Sequence, residues 1–385
     1  MQKLAISKDE LKRHKEYFYK NVVVNLEKMK ENKKYSSRKQ WKFLRLCIYY
    51  KKQLAIGKPY QLRKIQEIIE CHYRNVLTKD RGFKDGIEVA FGYDKFSCIN
   101  IGEEVVREAK DKVGLPKKSN YKNQDIYKYL YDYFNSINKE IGNEFKEEYQ
   151  KLNEKVTKAK LVDICSSLLI SSIVKNYVSV KDCPEWNPYL LQFYRKIRTC
   201  PYCNRQYITP FYSEKGKIRA DMDHFYPKSK YPYFSMSLYN LVPCCKFCNS
   251  SLKGVREFEL EDKTPYEISI DDMATFEYEP SHNAEVIFHI KDDEVLPYAK
   301  MFKIEEIYSA HINVAKDIRE QFSKFPPLRI RDLLDTGLVS EKELYQMILG
   351  KISKKEEILD EPLSKFKRDI VKDIFGEEIL KLITE

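Results

Sequence analysis

Apolar residues recur at intervals of three and four through most of the first half of the chain. Ser7-Lys-Asp-Glu10 has the form of a capping box, and the periodic stretch behind it predicts a helix to about residue 31. Trp41 to Leu54 and Pro59 to Leu77 repeat the helical pattern. Gly82 to Ile101 contains glycines and shows no clear period, which predicts a loop or short irregular elements. From Asp125 to about Lys158 the chain is charged, and Tyr127, Leu130, Tyr131 and Phe134 fall at i, i+3, i+4 and i+7, as one long helix requires. Leu161 to Val178 is apolar enough for a buried core helix.

The pattern changes near Asp182-Cys-Pro-Glu-Trp-Asn-Pro188. A short helix over Tyr189–Lys196 leads into a cysteine-rich region. Two short strands are expected between Arg205 and Phe225, joined at Ser213-Glu-Lys-Gly216. Ser237 to about Leu252 reads as helix, interrupted by Pro243. Ala274–Tyr278 and Glu285–Ile290 read as strands, Ile304–Phe322 as a helix, and the remainder as helical. The expected fold class is α+β and mostly helical. Its domains would be a helical one over residues 1–180, a small mixed core over 189–260 and a mainly helical region over 270–385.

Charge sharpens this picture. Residues 1–60 hold 17 Lys and Arg against 5 Asp and Glu, and the remainder of the chain is nearly neutral. A basic segment on a neutral body points to an anionic partner such as nucleic acid, although Lys-rich composition along the whole chain can produce the same bias. The hydrophobic content of 43% supports real cores and excludes a chain disordered throughout. No apolar run approaches the length of a membrane span, and the first twenty residues lack a signal peptide's apolar region. A cytoplasmic protein is the expectation.

The cysteines fall in two classes. Cys47, Cys71, Cys98, Cys165 and Cys183 are scattered and read as small buried hydrophobes. Cys200-Pro-Tyr-Cys203 and Cys245-Lys-Phe-Cys248 form two C-x-x-C pairs, each able to curl around one ion. Together Cys200, Cys203, Cys245 and Cys248 complete a tetrahedral four-thiolate zinc site with no open position, hence a structural one. Cys244 competes with Cys245, but its spacing to Cys248 is less usual for a knuckle. Between the knuckles lies Asp221-Met-Asp223-His224-Phe-Tyr-Pro227, followed by Asn240, with Asn249 just past the second knuckle. A hairpin ending in Asp-His, followed by a helix carrying an amide, brings a carboxylate and an amide oxygen together. Such hard donors suit magnesium or manganese. An imidazole with a reference pKa of about 6.5 beside them is suited to general-base work.

The strings CPYCN, DMDHFYPKSKYP and YNLVPCCKFCN, with the trailing Lys253-Gly254, resemble the HNH branch of the His-Me-finger (ββα-metal) nucleases. They are most similar to the zinc-knuckled bacterial versions found beside ATPases in Septu-type and retron-linked anti-phage systems. The likeness covers about 55 residues, and Phe302-Lys-Ile-Glu-Glu-Ile-Tyr-Ser-Ala-His311 adds a weaker one to segments that follow the HNH core. The helical N-terminal half carries no such likeness.

The resemblance implies roles position by position. His224 would be the general base that deprotonates water. Asp223 and Asn249 would hold a catalytic Mg2+ or Mn2+. Asn240 would tie down the histidine loop through backbone hydrogen bonds, its competing reading being an ordinary helix cap. Asp221, two residues before Asp223 on the same strand face, would be a helper ligand or an ion-pair partner. Lys253, Lys228 and Arg205 could reach phosphates or be solvated surface charges. The implied activity is metal-dependent hydrolysis of DNA phosphodiesters by the effector of a defence system, with an ATPase partner. Two other readings stay open: a non-catalytic zinc module that binds DNA or protein, and a stand-alone restriction nuclease or RNA-cleaving toxin. The first has no need of Asp223, His224, Asn240 and Asn249 together. Comparing plasmid, single-stranded DNA and RNA as substrates separates the second.

Overall fold

A computed structural model of the chain describes residues 3–98, 100–115, 121–153, 155–174, 186–213, 216–281 and 284–384. The fold is mainly helical with small two-stranded sheets. The chain divides into two compact units. An N-terminal unit comprises residues 6–196 and 209–241, and a C-terminal unit comprises 1–5, 197–208 and 242–385. The block expected over 189–260 is therefore shared between them, the segment 209–241 belonging with the N-terminal helices. Among the described residues no helix is long and apolar enough to cross a membrane.

In the N-terminal unit the helices are α1 (Lys8–Phe18), α2 (Val24–Glu31), α3 (Arg38–Tyr49), α4 (Lys51–Ile56), α5 (Pro59–Lys79) and α6 (Arg81–Phe91). They continue with α7 (Tyr93–Ser97), α8 (Ile101–Lys112), α9 (Gln124–Ile137), α10 (Lys139–Lys151), α11 (Lys158–Val174) and α12 (Pro188–Arg195). Ser7 caps α1, its Oγ accepting the Glu10 N–H at 3.2 Å. Residues 82–91 and 93–97 are helical, where a loop or short irregular elements were expected. Asp80 caps α6 by accepting from the Phe83 N–H at 2.9 Å, and Gly92 ends it in the left-handed conformation. Phe83, Ile87, Ala90 and Phe91 bury one face of that helix. Gly86 is tolerated because a Cβ there would stand 2.7 Å from the Tyr35 hydroxyl. The single long helix expected over 125–158 is two helices. Asn138 breaks it and caps α10 by accepting the Glu140 N–H at 2.7 Å. The expected core helix at Leu161–Val178 corresponds to α11, and residues 175–178 lie outside the described ones.

The same unit contains a hairpin, β1 (Phe211–Ser213) with β2 (Gly216–Ile218), in register Phe211↔Ile218. Strand β3 (Asp221–His224) follows, and a 3-10 turn at Leu238–Asn240 leads into β4 (Leu241–Cys244), within which the chain passes into the C-terminal unit. The helix expected over 237–252 is thus replaced by a turn, a strand and a short π-helical stretch at Phe247–Lys253. Leu-Val-Pro-Cys is buried throughout, and such a short apolar run suits a strand or a buried helix equally until its neighbours decide.

The C-terminal unit carries α13 (Ile270–Met273), β5 (Ala274–Glu279) and β6 (Glu285–Ile290), paired antiparallel with Phe276 opposite Phe288. Helices α14 (Leu296–Phe302), α15 (Ile304–Ser309), α16 (Ile312–Lys324), α17 (Pro327–Asp335), α18 (Glu341–Leu349), α19 (Ser364–Phe375) and α20 (Glu377–Thr384) complete it. The helix expected over 304–322 is interrupted where the His311 N–H turns back to the Tyr308 carbonyl at 2.8 Å. Phe276 anchors the core, with Tyr308 at 4.3 Å and Phe366 at 5.3 Å between ring centroids. Lys365 is buried on the sheet and donates to the Ala274 carbonyl and to Asp369, each at 2.8 Å.

Candidate metal centre and candidate active-site histidine

Four thiols meet in the C-terminal unit. Cys200, Cys203, Cys245 and Cys248 are buried, and their Sγ atoms all lie within 4.8 Å of one another. Cys203 and Cys245 are 3.9 Å apart. A tetrahedron with metal–sulfur bonds of about 2.3 Å has edges of about 3.8 Å, so the cage is the right size for one ion. Backbone amides point at the sulfurs. Cys245 N–H faces Cys200 Sγ at 3.3 Å, Cys248 N–H faces Cys245 Sγ at 3.4 Å, and Arg205 N–H faces Cys203 Sγ at 3.5 Å. Donors arranged this way favour thiolates, the form that binds metal. Cys245 is part of the cage and Cys244 is outside it. Of the scattered cysteines, Cys47 and Cys165 are buried as expected, whereas Cys71 and Cys98 are exposed; Cys183 lies outside the described residues.

The surroundings hold the first knuckle in place. Tyr308 donates its hydroxyl to the Cys203 carbonyl at 2.7 Å. Asn204, with a left-handed backbone, donates to the Ile358 carbonyl at 2.7 Å and accepts from the Ser364 hydroxyl at 3.0 Å. Tyr202 stacks on Phe302 with centroids 4.3 Å apart. The weaker motif around residues 302–311 therefore has a physical place: it packs behind the knuckle.

His224 ends β3 in the N-terminal unit and is 9% exposed. Its Nε2 lies 2.9 Å from the Ser235 carbonyl oxygen. A carbonyl only accepts, so the ring proton sits on Nε2 and the lone pair of the neutral ring on Nδ1. The Tyr93 ring meets the imidazole edge to face at 4.2 Å, and its hydroxyl donates to the Met222 carbonyl at 3.3 Å. Burial, reinforced by Asp221, Asp223 and Asp94 against the opposing charge of Arg219, pushes the Tyr93 phenol up and keeps it a donor. Asp221 and Asp223 alternate with Met222 and His224 along β3, which puts the two carboxylates on one strand face. Asp223 is 5% exposed.

Asn240 braces the loop between β3 and β4. It is fully buried, accepts the Tyr226 N–H at 2.7 Å, and donates to the carbonyls of Tyr226 at 3.0 Å and Phe234 at 3.1 Å. Its own carbonyl accepts the Phe225 N–H at 3.0 Å. One side chain thus closes both ends of the segment that follows His224.

A set of residues that sequence reasoning missed supports this loop from the other side. Glu10 and His14 on α1 and Arg195 on α12 are buried together. The Trp186 indole N–H donates to His14 Nδ1 at 2.9 Å, so His14 Nε2 is the donor to the Met236 carbonyl at 2.8 Å. Arg195 pairs with Glu10 and donates to the Leu238 carbonyl at 3.3 Å. Adjacent carbonyls, Ser235 and Met236, are therefore each held by an imidazole N–H. The available signal was that Glu10 and His14 occupy the buried phase of α1 alongside Tyr17 and Phe18.

The remaining candidates fare differently. Asn249 lies in the C-terminal unit, directly after Cys248, with its N–H bonded to the Cys245 carbonyl at 3.0 Å. Lys228 pairs with Asp94 at 2.5 Å, its ammonium 5.3 Å from the centre of the Tyr93 ring. Arg205 donates to His311 Nε2 at 2.7 Å. Lys253 is buried, with its ammonium over the Phe258 ring. Neither Arg205 nor Lys253 is the solvated charge weighed from sequence. No family model matches the chain, and no curated protein or solved structure matches it either.

Proposed function

We propose that the chain is a metal-dependent DNA endonuclease of the HNH type, with zinc in its four-cysteine cage and His224 as general base. The observation that carries this reading is the bond from His224 Nε2 to the Ser235 carbonyl, 2.9 Å long. With Nε2 as the donor it leaves the lone pair of the neutral ring on Nδ1, at the end of a strand that reads Asp-x-Asp-His. Asp223 is the donor expected to hold Mg2+ or Mn2+, which when bound would stabilise charge on the phosphate and on the leaving oxygen. His224 takes the proton from the attacking water at Nδ1. Ser235, through its carbonyl, steadies the imidazolium that forms. Asn240 keeps the loop closed around it. The four thiolates fill the cage's coordination and so serve the fold alone.

Activity as the effector of an anti-phage complex, beside an ATPase, follows from the resemblance in the nuclease motif. The protein purified alone and together with the products of neighbouring genes is the material to assay with magnesium, on supercoiled plasmid, single-stranded DNA and RNA. His224→Ala should keep the fold and the cage metal and lower the cleavage rate by about 10²–10⁴-fold or more. Unchanged nicking by that variant refutes the assignment.

A further inference from the structure

The outer face of α3 differs from the surface around it. From Asn32 to Gln66 the sequence holds eleven Lys and Arg residues and no Asp or Glu. Elsewhere on the N-terminal helices cations sit beside carboxylates, as in Lys30–Glu27, Arg107–Glu104 and Lys151–Glu148. Among the described residues, no carboxylate pairs with Arg38, Lys39, Lys42 or Arg45. The first turn of α3 carries Arg38 and Lys39 where the helix dipole favours acids. Such a concentration of one sign destabilises the fold unless an anion answers it.

Large aromatic rings are interleaved with these charges. Phe43, Leu44 and Cys47 turn inward, leaving Arg38, Trp41, Lys42, Arg45 and Tyr49 on the outside. Trp41 is 39% exposed and Tyr49 78%. The Arg45 guanidinium carbon lies 4.8 Å from the Trp41 ring centre, so cation and π-surface form one platform. Trp41 and Tyr49 are about 12 Å apart along the helix axis, with Arg45 between them. The inner face is rigidly mounted: Phe43 meets Tyr233 of the histidine loop at 6.0 Å, and Tyr233 donates to Gln66.

We propose that this face of α3 binds a single-stranded polynucleotide. Arg38, Lys42 and Arg45 take phosphates, and Trp41 and Tyr49 stack against bases. Duplex DNA would satisfy the charges but not the rings, because its bases are already stacked inside. A single strand satisfies both. A membrane surface would instead favour an apolar face with cations at its edges. The inference deepens the nuclease reading by naming the form of strand held, yet it rests on no role for His224 or for any metal.

Binding of fluorescein-labelled oligothymidylate, oligouridylate and a duplex of equal length, in magnesium-free buffer between about 50 and 200 mM salt, tests it on the full chain. Trp41→Ala should weaken single-strand binding by about 5- to 150-fold and duplex binding far less. Trp41→Phe should restore most of the loss. Lys42→Gln and Arg45→Gln should each lower the salt slope by about 0.7. The protein has two tryptophans and Trp186 is 3% exposed, so quenching of Trp41 emission by the strand reports stacking directly. Tight binding of either oligonucleotide supports the surface and names the sugar taken. The proposal is overturned if wild-type protein binds neither, if Trp41→Ala loses the same factor on duplex, or if it loses affinity only for anionic vesicles. The same titrations on His224→Ala separate this surface from the cleavage chemistry, since binding should persist there.

Discussion

Asn240→Ala tests whether the loop after His224 is held as described. The side chain makes three hydrogen bonds of 2.7, 3.0 and 3.1 Å inside a site with no solvent exposure. Alanine removes all three and leaves one amide and two carbonyls without that partner. At about 1 kcal/mol for each bond, plus the desolvation cost of buried groups no longer paired, the loss is about 3–5 kcal/mol. With a urea m-value of about 2 kcal/mol/M, the midpoint of the N-terminal unit should fall by roughly 1.5–2.5 M. Trp186 is the reporter, since it is buried in that unit and bonded to His14. Asn240→Asp should not rescue. It keeps the acceptor for Tyr226 but turns the donor into an oxygen facing the carbonyls of Tyr226 and Phe234. A midpoint within a few tenths molar of wild type for the alanine variant, or a wild-type midpoint for Asn240→Asp, refutes the bracing role.

Other outcomes follow from the same geometry. Cys203→Ser should lower bound zinc and the thermal midpoint of the C-terminal unit together, and full zinc occupancy by elemental analysis would count against the cage. Burial holds the His14 imidazole down at about 4, the Arg195 charge adding to this and the Met236 bond opposing it. The unfolded chain, with a value of about 6.5, then takes up that proton first, so stability falls as pH drops from about 6.5 towards 4, by about 3 kcal/mol in all. His14→Gln should flatten that slope in urea titrations at several pH values, and an unchanged slope would sink the linkage. Gly102→Ala puts a Cβ 2.2 Å from the Ser166 hydroxyl and 2.3 Å from the Val162 carbonyl, which should force α8 from α11 at a cost of about 1–3 kcal/mol. A wild-type melting curve for that variant would show the contact is not tight.

The thiol cage was legible because ligand chemistry and the spacing of two C-x-x-C pairs are local properties. So were Ser7 as a cap and the strands of the β5–β6 sheet, whose alternation shows over a few residues. Helices α6 and α7 were not legible, because Gly86 looks like a breaker until Tyr35 is seen to occupy the space a Cβ would fill. The fate of a charged side chain was not legible either. Arg205 is claimed by His311, more than a hundred positions away, and Lys228 by Asp94. The basic segment stands out in the sequence by its charge alone. In the structure Phe18, Leu26, Phe43 and Leu44 are fully buried, so residues 6–60 are part of a core and their charge is tested by surface substitution, not deletion.

The cage also bears on the histidine loop through chain connectivity. The chain leaves the C-terminal unit after Ile208, runs through β1 to β3 and the histidine loop as part of the N-terminal unit, and returns at Val242. Cys203 and Cys245 stand just outside these two crossings, 42 residues apart in sequence and 3.9 Å apart in space. Any ion bound by both knuckles therefore closes the excursion that carries His224. Treated as a covalent cross-link around a loop of this size, the closure removes about 4 kcal/mol of entropy from the unfolded chain. That is comparable with the whole contribution worked out for Asn240. Two devices thus restrain the same segment: thiolates at its ends, and amide, imidazole and guanidinium donors to the carbonyls of Phe234, Ser235, Met236 and Leu238 inside it.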